Sequence, residues 1–247
     1  MSGAAVKLEG VSKRFGSRTQ ALAQTDFSLR AGEFVSIVGP SGCGKSTLLR
    51  IIAGLIPPTT GRCVRPAGIE TAFVFQEAAL LPWRTVERNA QLLMELEGMK
   101  PADYAPRASQ ALARVGLAGF EKSYPHQLSG GMRMRLSLAR ALALMPDLLL
   151  LDEPLAAVDE LTRDILQEDI SRLWAQSRFT GVLVTHNVHE AVYLSNRVIV
   201  MSPRPGRIVD VIDVPFEFPR PPDLRATPEF ARLTGEVTAS LRRKQTA

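Results

Sequence analysis

The chain has 247 residues, 45% hydrophobic and 22% charged, a globular composition in a chain long enough to bury its core without covalent staples. Its two cysteines, Cys43 and Cys63, lack the spacing of a disulfide framework, which argues against a disulfide-built secreted fold and for a reducing compartment. Lys and Arg number 30 against 25 Asp and Glu, a net charge of +5, compatible with phosphate ligands, nucleic acid or an anionic membrane surface and decisive for none of them.

The opening residues, MSGAAVKLEGVSKRF, lack the uninterrupted apolar run of a signal peptide, and no stretch approaches the roughly 18–20 apolar residues that span a bilayer. A membrane span, if one is involved, is expected from another chain. Short β-branched apolar runs alternate with helix-period stretches, the pattern of an α/β fold with a mostly parallel sheet. The clearest strands are 34–38, 71–75, 148–151 and 181–184, apolar enough for burial on both faces.

The first of these strands runs into Gly39-Pro-Ser41-Gly42-Cys43-Gly44-Lys45-Ser46-Thr47, which fits G-x-x-x-x-G-K-[ST] between a strand and a helix. Its glycines let the backbone wrap so that successive N–H groups face phosphate oxygens at a helix N-terminus. Lys45 is expected to hold the β- and γ-phosphates and Ser46 to ligate Mg²⁺. Cys43, at the helix start, is either an oxidisable thiol or a small packing residue, and packing is the simpler reading.

Between 82 and 145 the character turns helical, with helices expected at 86–97, 101–115 and 130–144 and no strand among them. Pro101 suits a first helical turn, and Ser129 ahead of Gly130-Gly131 marks the next helix start. The strand 148–151 then ends in Asp152-Glu153. Two carboxylates at a buried strand end are costly unless a cation or a reaction uses them; Asp152 is placed to hold Mg²⁺ and Glu153 to polarise an attacking water. His186 and His189, with Glu190 beside them, imitate a zinc site but lack a further ligand cluster. After Val214 a proline-rich stretch reads as an irregular appendage, followed by a helix at 228–243. The basic cluster Arg242-Arg243-Lys244 reads as a solvated helix tail.

Leu128-Ser129-Gly130-Gly131-Met132 upstream of Asp152, and Thr185-His186 downstream, complete a set that resembles the ATP-binding subunit of ABC transporters, over about residues 6–215. The resemblance implies a P-loop NTPase core with a mostly parallel sheet, formed by 1–81 and 146–215, an inserted helical subdomain at 82–145, and a C-terminal tail at 216–247. It implies ATP and Mg²⁺ as ligands. By position it makes Phe15 the ring that stacks on adenine, Gln76 the sensor of metal and attacking water, His186 the γ-phosphate switch, and Asp159 the coupler of two sites. Ser129-Gly130-Gly131 would close over the nucleotide of a second copy, so the resemblance implies a head-to-tail homodimer with two composite sites. Met134 stands where the family usually has glutamine, and Val158 where leucine is usual.

The segment 76–86, with Leu80, Leu81 and Trp83, and the later 202–208 look like the importer branch serving nitrate, alkanesulfonates and taurine. In that branch this surface receives a membrane permease, which implies a peripheral subunit on the cytoplasmic face of the membrane, an indirect link to a solute-binding protein, and no nucleic-acid partner. A soluble ABC ATPase acting on DNA or ribosomes usually carries two halves or a coiled-coil insertion, neither of which fits here. A P-loop kinase is disfavoured by LSGG and the Thr-His element.

Overall fold

The computed structural model describes residues 4–16, 19–156 and 158–243. In chain order the elements are β1 (Ala4–Phe15), β2 (Thr19–Arg30), β3 (Phe34–Val38), α1 (Lys45–Ala53), β4 (Thr60–Val64), β5 (Thr71–Val74), α2 (Val86–Leu96), α3 (Pro101–Arg114), α4 (Gly130–Ala143), β6 (Leu148–Asp152), α5 (Glu160–Ser177), β7 (Thr180–Val184), α6 (Val188–Leu194), β8 (Arg197–Met201), β9 (Ile208–Asp213) and α7 (Pro228–Arg243). Six strands form a sheet in the order β5-β6-β7-β3-β8-β9, parallel except at the β8–β9 edge. A separate antiparallel sheet, β2-β1-β4, covers one side.

Side chains alternate across a strand, and here both sides are buried. Leu149, Leu151, Leu183, Phe34 and Val38 face one cluster shared with the helical region, while Leu148, Leu150, Val182, Val35 and Ile37 face another shared with α1 and the antiparallel sheet. Every residue of β3, β6 and β7 is buried, which explains why these strands read as unbroken apolar runs. Each Leu or Val so buried contributes about 1.5–3 kcal/mol.

α2, α3 and α4 pack on one another, and α4 also packs against β5 and α5. The helix ends follow capping chemistry: the hydroxyl of Thr85 accepts from Arg88 N–H at 3.3 Å, and the hydroxyl of Ser129 accepts from Met132 N–H at 3.2 Å. Met134 and Val158, the two departures from the family pattern, are buried in the helical-side cluster, where apolar side chains of their size serve as core.

The proline-rich segment is no appendage. Arg220 is 3% exposed; its guanidinium donates to the carbonyls of Val192, Ser195 and Phe216 and stacks 4.0 Å from the Phe218 ring centroid. Burial pushes its pKa down to about 9. Phe230, Leu233 and Val237 of α7 then join the main core, so apolar anchors spaced along an otherwise irregular segment tie it down. Arg242 and Arg243 are exposed, and Lys244 lies outside the described residues.

Candidate active site

The parallel strands all end on one edge, so the turns after β3, β5, β6 and β7 converge there, the usual ligand-binding edge of an open α/β sheet. The turn after β3 wraps the start of α1. Gly44 caps that helix at φ +110, and a Cβ on it would lie 2.7 Å from the Ala21 carbonyl oxygen; only glycine supplies that backbone shape at that closeness. Lys45 is 5% exposed, and its Nζ donates back to the carbonyls of Gly39 at 2.9 Å and Pro40 at 3.0 Å. The ammonium is thereby held against the curl of the loop, where Lys45 lines the adjoining cleft.

The hydroxyl of Ser46 donates to Asp152 Oδ1 at 2.8 Å, joining the first turn of α1 to the end of β6. Burial pushes the Asp152 carboxyl above its ordinary range, against the opposing pull of that hydrogen bond. A hydroxyl and a carboxylate side by side at a partly desolvated strand end form the hard-oxygen donor set of Mg²⁺, which takes one or two protein ligands and completes its shell with water and phosphate. Among the described residues no group of three or more His, Cys, Asp or Glu side chains is placed to hold a metal ion.

Glu153 adopts φ +46, a left-handed backbone rarely taken by residues other than glycine. Its N–H donates to the Val184 carbonyl at 2.9 Å, and its Oε2 lies 3.1 Å from His186 Nδ1. The kink thus turns the carboxylate toward the end of β7. Behind His186, Thr185 accepts from Asn187 N–H at 3.0 Å and donates to Glu190, which is 4% exposed. Burial raises the Glu190 carboxyl to about 7, and its Oε1 has no partner among the described residues.

Phe15, Ser41, Gly42, Gly44, Lys45, Ser46, Thr47 and Glu153 line a cleft of about 230 Å³. Gly39 contributes its carbonyl to Lys45. Cys43 is buried, and burial pushes its thiol up, so it packs beneath the loop rather than presenting a reactive thiolate. Phe15 is 47% exposed at the cleft rim. Gln76 is exposed just beyond β5.

Three predicted elements stand outside the cleft. Ser129 and Gly130 are exposed at the start of α4, and Gly131 is buried against α5, where a Cβ would meet the Thr162 methyl at 2.5 Å. Asp159 is exposed and caps α5, accepting from Thr162 N–H at 3.0 Å; that backbone donor holds its carboxyl low. Ala157, between Glu153 and Asp159, lies outside the described residues. Leu80 and Leu81 are half-buried, Leu80 against the main core, whereas Trp83 is 72% exposed. Of the three apolar residues on this surface, Trp83 alone is exposed.

Two contributors escaped the sequence reading. Arg204 lines the cleft and donates through Nε to the Gly42 carbonyl at 3.0 Å, from a loop 162 residues away in sequence that no motif spacing links to it. Arg140 is buried in α4 and donates to the carbonyls of Ala78 and Ala79 at 3.0 and 2.9 Å, joining the segment after Gln76 to the helix that starts at Ser129.

A family model described as ABC transporter matches residues 22–156. The aliphatic sulfonates import ATP-binding protein SsuB of Bacillus cereus is 44% identical, covering 87% of this chain and 88% of its own. The taurine import ATP-binding protein TauB of Rhizobium johnstonii is 42% identical, covering 92% of this chain and 91% of its own. A solved dimeric ATP-binding cassette in a post-hydrolysis state, bound to ADP and Pi, aligns with a TM-score of 0.75 and 31% identity over 86% of this chain and all of that one. The chain belongs to the ABC transporter family, as an ATP-binding subunit with ATPase activity.

Proposed function

We propose that this subunit hydrolyses ATP to drive import of a small anion of the nitrate, alkanesulfonate or taurine type through a separate membrane permease, and that it works as a head-to-tail homodimer on the cytoplasmic face of the membrane. The observation that carries the dimer is the divided site. The Ser129-capped N-terminus of α4 is an anion-attracting surface, yet it is exposed and absent from the residues lining the chain's own cleft. A second copy turned head to tail would bring that surface over the nucleotide held by Lys45, and Asp159 would lie beside the seam.

Within one half-site, Lys45 and the loop N–H groups bind the phosphates, and Phe15 offers its ring to the base. Ser46 and Asp152, with Gln76 nearby at the sheet edge, would hold Mg²⁺, which when bound offsets phosphate charge. Glu153 accepts a proton from the attacking water, and His186 holds that carboxylate in place while reaching toward the γ-phosphate. Closure around ATP and release after hydrolysis supply the stroke, because the ligand favours the closed arrangement.

The importer assignment rests on the likeness to the sulfonate and taurine import ATP-binding proteins. Among the described residues no helix is long and apolar enough to cross a membrane, so the pathway would belong to another chain. Trp83 is the exposed contact offered to it, on a segment clamped by Asn89, whose side chain donates to the carbonyls of Leu81, Arg84 and Thr85, each at 3.0 Å. Arg140 connects the same segment to α4, a route from the docking surface to Ser129.

The test is to tag the chain in its native cells, extract membranes in mild detergent and identify co-purifying proteins by mass spectrometry. A multi-span protein in comparable amount is expected. Recovery with ribosomes, nucleic acid or no partner would overturn the importer reading.

A further inference from the structure

A second, roomier cavity lies away from the nucleotide cleft, at the opposite edge of the parallel sheet. It measures about 790 Å³ and is lined by Phe179 and Thr180 at the start of β7, Asp147 just before β6, and Ile69 ahead of β5. The four- and five-residue strands between the two edges put about 15 Å of packed core between cavity and cleft. A volume of this size falls within the range of small-molecule sites, about 300–1,000 Å³.

One wall is a single face of α3. Arg107, Gln110, Ala111 and Arg114 fall at i, i+3, i+4 and i+7, so they line one stripe of the helix, and all four line the cavity. The lining also includes Arg178, just past the end of α5, its guanidinium 4.6 Å from the Trp174 ring centroid. Among the described residues none of these three arginines forms an ion pair. The carboxylate lining the cavity, Asp147, already accepts from Glu70 N–H at 3.1 Å. The rest of the lining mixes polar side chains, Gln110, Ser177 and Thr180 among them, with apolar ones: Ala111, Ala143 and Phe179 are buried and Met145 is 69% exposed.

We propose that this cavity binds a small organic anion with an apolar body, its charged group held by Arg107 and Arg114 of α3. Guanidinium groups suit carboxylate, sulfonate and phosphate oxygens through paired N–H donors. Guanidinium groups without an ion pair beside apolar side chains match a ligand that is anionic at one end and apolar at the other. Arg107, Arg114 and Arg178 are exposed, so a neutral apolar ligand would displace water from the guanidinium groups without replacing its hydrogen bonds, and an inorganic ion would leave the apolar part of the lining uncontacted. The wall of α3 belongs to the helical region and Arg178 to the sheet region, so such a ligand bridges the two.

Anilinonaphthalene sulfonate, an aromatic sulfonate that fluoresces when desolvated, is a suitable probe for the full chain. Saturable binding is expected, retained in saturating ATP. The Arg107→Gln/Arg114→Gln double variant and, separately, Gln110→Glu should weaken it by about tenfold or more, the worth of a charge-assisted contact, with melting temperature and ATP affinity unchanged. Using both variants keeps the result readable if one folds poorly. Equal affinity in the variants, equally tight binding of neutral phenylnaphthylamine, or displacement of the probe by ATP would each overturn the assignment.

Discussion

Thr185 donates its hydroxyl hydrogen to a carboxylate oxygen of Glu190, a carboxyl buried at 4% exposure directly behind the loop that carries His186. The same hydroxyl receives Asn187 N–H, so one side chain ties the end of β7 to the start of α6. Burial raises Glu190 from 4.5 to about 7, with Arg163 and His186 pulling it down and Glu153 pushing it up.

A carboxyl raised in the folded state binds more protons folded than unfolded between those two values, so its contribution to stability falls as pH rises from about 4.5 to about 7. Each unit is about 1.4 kcal/mol, which makes the full effect of order 3 kcal/mol. Glu190→Gln keeps an acceptor for Thr185 and removes the titration. The melting temperature of the variant should depend less on pH between about 5 and about 8 than that of the unaltered chain, and at the alkaline end should equal or exceed it. Parallel pH profiles for the two proteins would show that Glu190 is ionised throughout.

Glu153→Gln should leave nucleotide binding intact, since Lys45 and the loop are untouched, and should lower hydrolysis by about 10²–10⁴-fold, the usual worth of a positioned base. With ATP and Mg²⁺ the variant should accumulate as a dimer in light scattering. Full turnover would remove Glu153 from the chemistry, and a monomer under those conditions would count against the divided site.

Gly131→Ala should destabilise the chain, because its Cβ would meet the Thr162 methyl at 2.5 Å. The cost of overpacking, about 1–3 kcal/mol, is set against a helix-propensity gain of up to about 1 kcal/mol. Thr162→Ser removes that methyl and should restore most of the loss in the double variant, read as non-additive melting temperatures. Simple additivity would mean that the α4–α5 contact yields at no cost.

Trp83→Ala should change stability by no more than about 0.5 kcal/mol, as befits an exposed side chain, and should spare basal ATPase while reducing co-purification with the membrane partner. A large drop in melting temperature or in basal turnover would show that Trp83 supports the fold instead.

The phosphate loop, the carboxylate pair after Leu148–Leu151 and the LSGG segment were all legible in the chain, because each depends on neighbours within a few residues: a glycine must permit a turn, or an apolar run must end at the sheet edge. The buried strands were legible for the same reason, since burial on both faces leaves no polar alternation. Tertiary structure alone decided what lies far apart in sequence. It brought Arg204 to Gly42, set Arg140 on the carbonyls of Ala78 and Ala79, and buried Glu190 enough to raise its pKa. It also bound the proline-rich tail through Arg220, left only Trp83 exposed among three apolar neighbours, and opened the arginine-walled cavity between α3 and the end of α5. These outcomes depend on which surfaces meet and how much water they exclude, and local sequence pattern carries neither quantity.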